Sequence, residues 1–180
     1  MGKHLVILSI ITALICCSNP KVKDKGVLYT KDNIGNILVK TPYYISMKGD
    51  TLVDGVVIHY YPNKMISDSF NMKDGKKYGF YYRFDSNGRL IRTSFFDDNK
   101  AEGYVTYFYP NGIIESEQLY RKDTLLFIKD FFKNGQLKQY LIFIIPKEAG
   151  HDLETGYSLE YDSMGNKQDE SGDSILSKRW

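Results

Sequence analysis

The feature that most constrains how this chain can fold is a repeat. Gly79-Phe-Tyr-Tyr-Arg-Phe-Asp-Ser-Asn87-Gly88-Arg-Leu90 and Gly103-Tyr-Val-Thr-Tyr-Phe-Tyr-Pro-Asn111-Gly112-Ile-Ile114 begin 24 residues apart, and Gly55-Val-Val-Ile-His-Tyr-Tyr-Pro-Asn63-Lys64-Met-Ile66 precedes them by another 24. A fourth copy starts at Leu126 and carries Asn134-Gly135-Gln-Leu137, while weaker copies start at Gly26 and Gly156. A fixed period of this length is the signature of an array in which each unit is one supersecondary element.

Within each copy the pattern is that of a β-hairpin. Asn-Gly flanked by alternating apolar residues is the strongest short-range hairpin signal, so Asn87-Gly88, Asn111-Gly112 and Asn134-Gly135 are the expected structural turns, built from residues that tolerate positive φ. Counting from the opening residue, the first offset holds Val27, Val56, Phe80, Tyr104, Phe127 and Tyr157, and the fifth holds Tyr60, Phe84, Phe108, Phe131 and Tyr161. Odd offsets share one strand face, so the period is two and not 3.6. Second turn signals at Lys73-Asp74-Gly75-Lys76 and Asp97-Asp98-Asn99-Lys100 imply two strands per unit. The expected fold is all-β, an elongated antiparallel meander of about six β-hairpin repeats and about ten or more strands, with no helix in the mature domain. Longer spacings around Pro42 and Pro146 predict loop insertions.

These units resemble the MORN-repeat variant of bacterial YwqK-type antitoxin proteins. Lys73-Asp74-Gly75-Lys76-Lys77-Tyr78-Gly79 matches the inter-unit motif best, whereas Lys122-Asp123-Thr124-Leu125-Leu126 has lost both glycines and Lys64 replaces a turn glycine. The resemblance implies a hairpin repeat that binds proteins, sometimes a cognate toxin, and no catalytic activity.

The N-terminus reads as a targeting segment. Lys3 supplies a positive start and Leu5 to Ile15 an apolar run too short to span a bilayer, which needs about 20 residues. Leu14-Ile15-Cys16-Cys17 resembles the lipobox of bacterial lipoproteins, with Cys17 as the lipidated residue, since Ile15 would be a poor small residue before Cys16. The alternative is an ordinary secretory signal with both cysteines in the discarded part. The organisation expected is therefore a helical signal segment over 1–16, a lipidated tether over 17–25, the repeat domain over 26–166 and a flexible polar tail over 167–180. Ser18 resembles the residue that permits sorting onward, which favours the outer membrane over the inner.

Composition excludes several functions. With 24 basic and 22 acidic side chains, the charge is too balanced for a nucleic-acid binder, which needs a clustered basic face. His59 and His151 have no second His or Cys at ligand spacing, so no metal or other cofactor is expected. Asp97 with Asp98, and Asp169 with Glu170, are neighbours in a turn and a polar tail, which is not the geometry of a carboxylate pair at work. No catalytic residue is identified. The candidate binding surface is instead the set of even-offset aromatics, Tyr61, Tyr81, Tyr107, Tyr109 and Phe132, which form either a contact surface or a cross-strand stack. Three functions remain in play: a lipid-anchored scaffold for another protein, such as an antitoxin or immunity factor; a cell-envelope glycan binder; and, least favoured, an envelope hydrolase.

Overall fold

The computed structural model describes residues 22–144 and 154–172. The proposed signal segment, Cys17 and Pro146 lie outside these residues. Fourteen β-strands and no helix are present among the described residues. The chain divides into two units, one running to Arg89 with Phe96–Asn99 added, the other comprising Leu90–Phe95 and everything from Lys100.

In the first unit, β1 (Val22–Lys31), β2 (Ile37–Ser46), β4 (Gly55–Tyr60), β5 (Ile66–Lys73) and β6 (Lys76–Phe84) pair in chain order, and the short β3 (Thr51–Val53) pairs with β2. The second unit begins in β7 (Leu90–Asp97), whose last two residues belong to the first. It continues through β9 (Gly103–Phe108), β10 (Ile114–Arg121), β11 (Thr124–Phe131), β12 (Leu137–Ile144), β13 (Glu154–Tyr161) and β14 (Lys167–Gly172), with the two-residue β8 (Lys100–Ala101) beside β7. All these pairings are antiparallel, so the meander expected from the repeat is the fold.

Three details differ from expectation. Strand pairing reaches back to Val22, so residues 22–25 of the expected tether belong to β1. Residues 167–172 of the expected tail form β14, held by cross-strand contacts such as Ser158 Oγ to Ser171 Oγ at 2.7 Å and the Tyr157 hydroxyl donating to Glu170 at 2.9 Å. Pro42 sits inside β2 opposite Val27, and the extra length is taken up by a longer strand and the β2–β3 hairpin instead of a loop.

The turns are of two kinds. At the Asn-Gly positions, Gly88 N donates to Asp85 O and Asp85 N to Arg89 O, both at 2.9 Å, and the same pair of bonds recurs at Tyr109-Gly112-Ile113 and Phe132-Gly135-Gln136. This is a three-residue loop, a turn closed by a glycine in the left-handed region, in place of the two-residue loop. Only the glycine has positive φ, +81° at Gly88 and +84° at Gly112; the asparagines do not. Lys64 adopts the same conformation at +69° without being glycine. At the other strand ends, Asp74-Gly75, Asp98-Asn99 and Lys122-Asp123 each have two consecutive positive φ angles, as a two-residue loop between twisted strands requires. The loss of both glycines at Lys122-Asp123 therefore leaves the turn type intact.

Successive turns are tied to each other. Asn63 and Asn134 each use the side-chain oxygen to accept from the backbone two residues on, at 3.1 Å in both cases, and the side-chain nitrogen to donate to Ser86 O and Ser163 O, each at 2.8 Å. Asn111 reaches Lys133 O in the same way. Tyr61 and Tyr109 add hydroxyl bonds to Phe84 O and Phe131 O, at 2.9 and 2.8 Å. At the opposite strand ends, Asn99 N and Asp123 N donate to Lys77 O and Ala101 O, both at 3.0 Å, while their side chains accept from Lys77 N and Ala101 N. Where Asp32, Asp85 or Asp162 opens the turn instead, its carboxylate accepts backbone N–H groups of its own loop.

Candidate functional site

Strand alternation assigns each residue a face, but the returning strands carry bulges that change the assignment part-way along. Tyr107 pairs with Ser116 and Phe108 with Ile114, so Glu115 is an extra residue on β10. Asp130 pairs with Gln139 and Phe131 with Leu137, so Lys138 is extra on β12. Ser67 on β5 is placed likewise. Residues directly opposite share a face. In the second unit the odd face therefore carries the row Tyr104, Leu119, Phe127, Ile142 and Tyr157. Phe127, Tyr140, Ile142 and Tyr157 are buried there as one cluster, with Leu119, Leu137 and Leu159 packed around them. Phe127 is 2% exposed and meets Tyr104 and Tyr140 edge-on.

The first unit is arranged differently. On its odd face Val56 is opposite Asn71, and Ile58 is opposite Ser69, which faces Tyr82, so no apolar row forms. Phe80 is 54% exposed and Tyr82 39%, their rings stacked at 6.0 Å, with Tyr78 exposed under the Lys73 ammonium. The continuous apolar row is on the even face: Val57, Phe70 and Tyr81 lie opposite one another. Tyr81 stacks on Phe70 at 6.1 Å and meets Phe96 edge-on at 6.3 Å, while the Lys77 ammonium lies over both phenylalanines.

Against this geometry the five expected surface aromatics take varied positions, and all are half-buried. Tyr81 belongs to the stack just described. Tyr61 and Tyr109 have their hydroxyls committed to the inter-turn ties. Tyr107 lies under the Arg92 guanidinium, 5.3 Å from the ring centroid, and Phe132 opens the Asn134-Gly135 turn. Sequence reasoning missed Phe70 and Phe96, although reading the residues opposite Tyr81 would have found the former. It also missed the exposed Tyr78, Phe80 and Tyr82, because odd offsets were expected to be the packed face throughout.

Two grooves accompany these surfaces. One of about 420 Å³ in the first unit is lined by Tyr29, Asn36, Ile37, Tyr60 and Lys64. The other, of about 350 Å³, lies on the even face of the second unit, with Tyr107, Tyr109, Ser116 and Asp130 in its lining. His59 is partly exposed, with Nδ1 2.8 Å from Asp68 and its ring edge-on to Phe70. Among the described residues no group of three or more His, Cys, Asp or Glu side chains converges as a metal site would need.

Comparison with known proteins adds one assignment. Residues 101–122 match the MORN repeat variant. That segment runs from the end of β8 through β9 and β10 to the tip of the Lys122-Asp123 turn, which is one full hairpin with its bulge at Glu115. No curated protein matches the chain. Among the solved structures that do match is one described as the crystal structure of TarM, at 12% identity and a TM-score of 0.30, covering 67% of this chain and 20% of that one. The chain thus spans about a fifth of the length of that protein.

Proposed function

We propose that this chain is an exported bacterial lipoprotein, anchored through Cys17, whose MORN-like repeats act as a non-enzymatic scaffold for another protein in the manner of YwqK-type antitoxins or immunity factors. The observation that carries the reading is the exposed aromatic strip of β6. Tyr78, Phe80 and Tyr82 present large apolar area on one side of a single strand, with Val56 also exposed on β4, two strands away. Exposed apolar clusters of this kind mark interaction sites, and aromatics dominate the energetic centres of protein interfaces because they bury much area with few rotatable bonds. A rigid sheet presents them without an ordering cost at the moment of contact.

The test is a photo-crosslinking residue placed at Phe80 in the full chain expressed in its native envelope. The expected result is one adduct of defined mass that is competed away by excess unlabelled protein and lost in Tyr82→Ser. Absence of any competable adduct at Phe80 overturns the assignment to this strip. The anchor is tested separately by metabolic labelling with an alkyne fatty acid, where Cys17→Ser abolishes the label and Cys16→Ser retains it.

A further inference from the structure

We propose that the groove on the even face of the second unit is a saccharide-binding subsite that takes the hydroxyl groups of one neutral sugar ring. This does not rest on the protein-binding reading, which concerns β6.

The first observation is a buried hydroxyl. Ser116 is 8% exposed, its Oγ has no hydrogen-bond partner among the described residues, and it lines the groove. A buried polar atom without a partner is destabilising, and such atoms are rare in folded proteins unless something else, a ligand included, completes them. The second observation is the double bulge. Glu115 and Lys138 are the extra residues of β10 and β12, and both line the same groove. Bulges re-aim side chains, and here two of them serve one depression.

The side chains present fit a polyol. Asp130, directly opposite Ser116, accepts from Gln139 Nε2 at 2.7 Å through one oxygen and retains the other as an acceptor. The Gln118 carbonyl oxygen accepts the Tyr120 hydroxyl at 3.1 Å, which fixes the carboxamide and leaves its N–H groups as donors. Tyr107, held by Arg92, supplies an aromatic wall of the kind that packs against the C–H face of a sugar. The lining thus offers both donors and acceptors, among them two carboxylates and one ammonium. A phosphate ligand needs a preponderance of cations, and an apolar ligand would leave these groups unpaired. Vicinal hydroxyls, each both donor and acceptor, satisfy them.

Saturation-transfer NMR on the full chain, with a panel of neutral hexoses and N-acetylhexosamines offered as free rings and as β-linked disaccharides, tests the site. The expected result is a saturable signal at millimolar sugar. Ser116→Ala and Asp130→Asn each weaken it about five-fold, the worth of one net hydrogen bond, while Phe80→Ser leaves it unchanged. Preference for the disaccharides assigns the site to a glycan chain and equal response to a free sugar. Because Ser116→Ala removes an orphaned hydroxyl, its Tm equals or exceeds that of the parent. Silence across the panel, a signal indifferent to both variants, or a lowered Tm for Ser116→Ala overturns the proposal.

Discussion

The two units are built from the same repeat, yet only the second packs the odd face of it into a core. In the second unit the odd-face residues Leu119, Phe127, Ile142 and Tyr157 stand opposite one another across four strands and make a core. In the first, the odd-face positions Val56, Phe80 and Tyr82 are exposed, and the apolar row is Val57, Phe70 and Tyr81 on the other side. The strands that open the repeats are alike in both; the difference lies in the returning strands. Asn71 and Ser69 interrupt the odd face of the first unit, whereas Leu119 and Ile142 continue that of the second. A sheet face becomes a core only where the cross-strand neighbours agree, since packing is a property of rows and not of single strands.

The sharpest way to break this comparison is truncation at equivalent positions. Phe127→Ala is expected to cost about 3–5 kcal/mol in urea unfolding, the usual penalty for emptying a buried phenylalanine site, while Phe80→Ala, at the matching offset, stays within about 0.5 kcal/mol as exposed substitutions do. Equal losses at the two sites would show that the odd face is packed in both units. A smaller effect tests the inter-turn ties, which both units share. Asn63→Ala removes two hydrogen bonds and Asn134→Ala three, and each is expected to lower stability by about 1–2 kcal/mol. Asn87→Ala, in a turn capped by Asp85 instead, should cost much less in the same urea unfolding.

Smaller still, and opposite in sign, is Lys64→Gly in the first unit. A left-handed lysine is strained by about 1–2 kcal/mol, part of which is offset by the extra freedom glycine has when unfolded. A net gain below about 1 kcal/mol is expected, and a loss would mean that the Lys64 side chain contributes contacts that outweigh its backbone strain.

The last prediction separates the two turn chemistries by pH. The Arg89 backbone N–H, chief among its partners, holds the Asp85 carboxyl below the usual carboxylate range, and the Asn36 and Asn166 side chains do the same first for Asp32 and Asp162. A depressed folded value means stability that is complete above the ordinary carboxylate pKa and lost as pH falls through the folded one. Carbon-detected carboxylate titration should place all three below the free amino acid, and Asp85→Asn should flatten the acid limb of stability. At the alkaline end, the hydrogen bond to Asp74 pushes Tyr44 up to about 12. Its contribution is complete below the ordinary phenol pKa near 10 and fades as pH rises through 12, so ultraviolet titration should find a late tyrosinate that Asp74→Asn removes, apart from Tyr120 and Tyr140, which burial also pushes up.

Much of this architecture was legible from the repeat alone. Asn87-Gly88, Asn111-Gly112 and Asn134-Gly135 marked real turns because a glycine is cheap where φ must be positive, and the period of two marked real strands. Two things stayed hidden. The bulges at Ser67, Glu115 and Lys138 shift the alternation of the returning strands by one, so Ile114 and Leu119 share a face despite an odd separation. No residue type announces such a shift. The polar character of Lys167–Gly172 likewise concealed β14, since an edge strand needs backbone partners more than apolar side chains. For the site, aromatic spacing pointed to Tyr107 and Tyr109, but Ser116 and Asp130 join them only through strand register.

The inter-turn ties also set the grain in which the chain can change length. Asn63 and Ser86 are 23 residues apart, and Asn111 and Lys133 are 22, so a single inserted residue at either turn would uncouple donor from acceptor. Asn134 and Ser163, however, remain joined across 29 residues. Lengthening by tandem duplication of whole hairpins preserves the clasps at both strand ends, whereas an insert within the Lys77–Asn99 or Ala101–Asp123 span unfastens one.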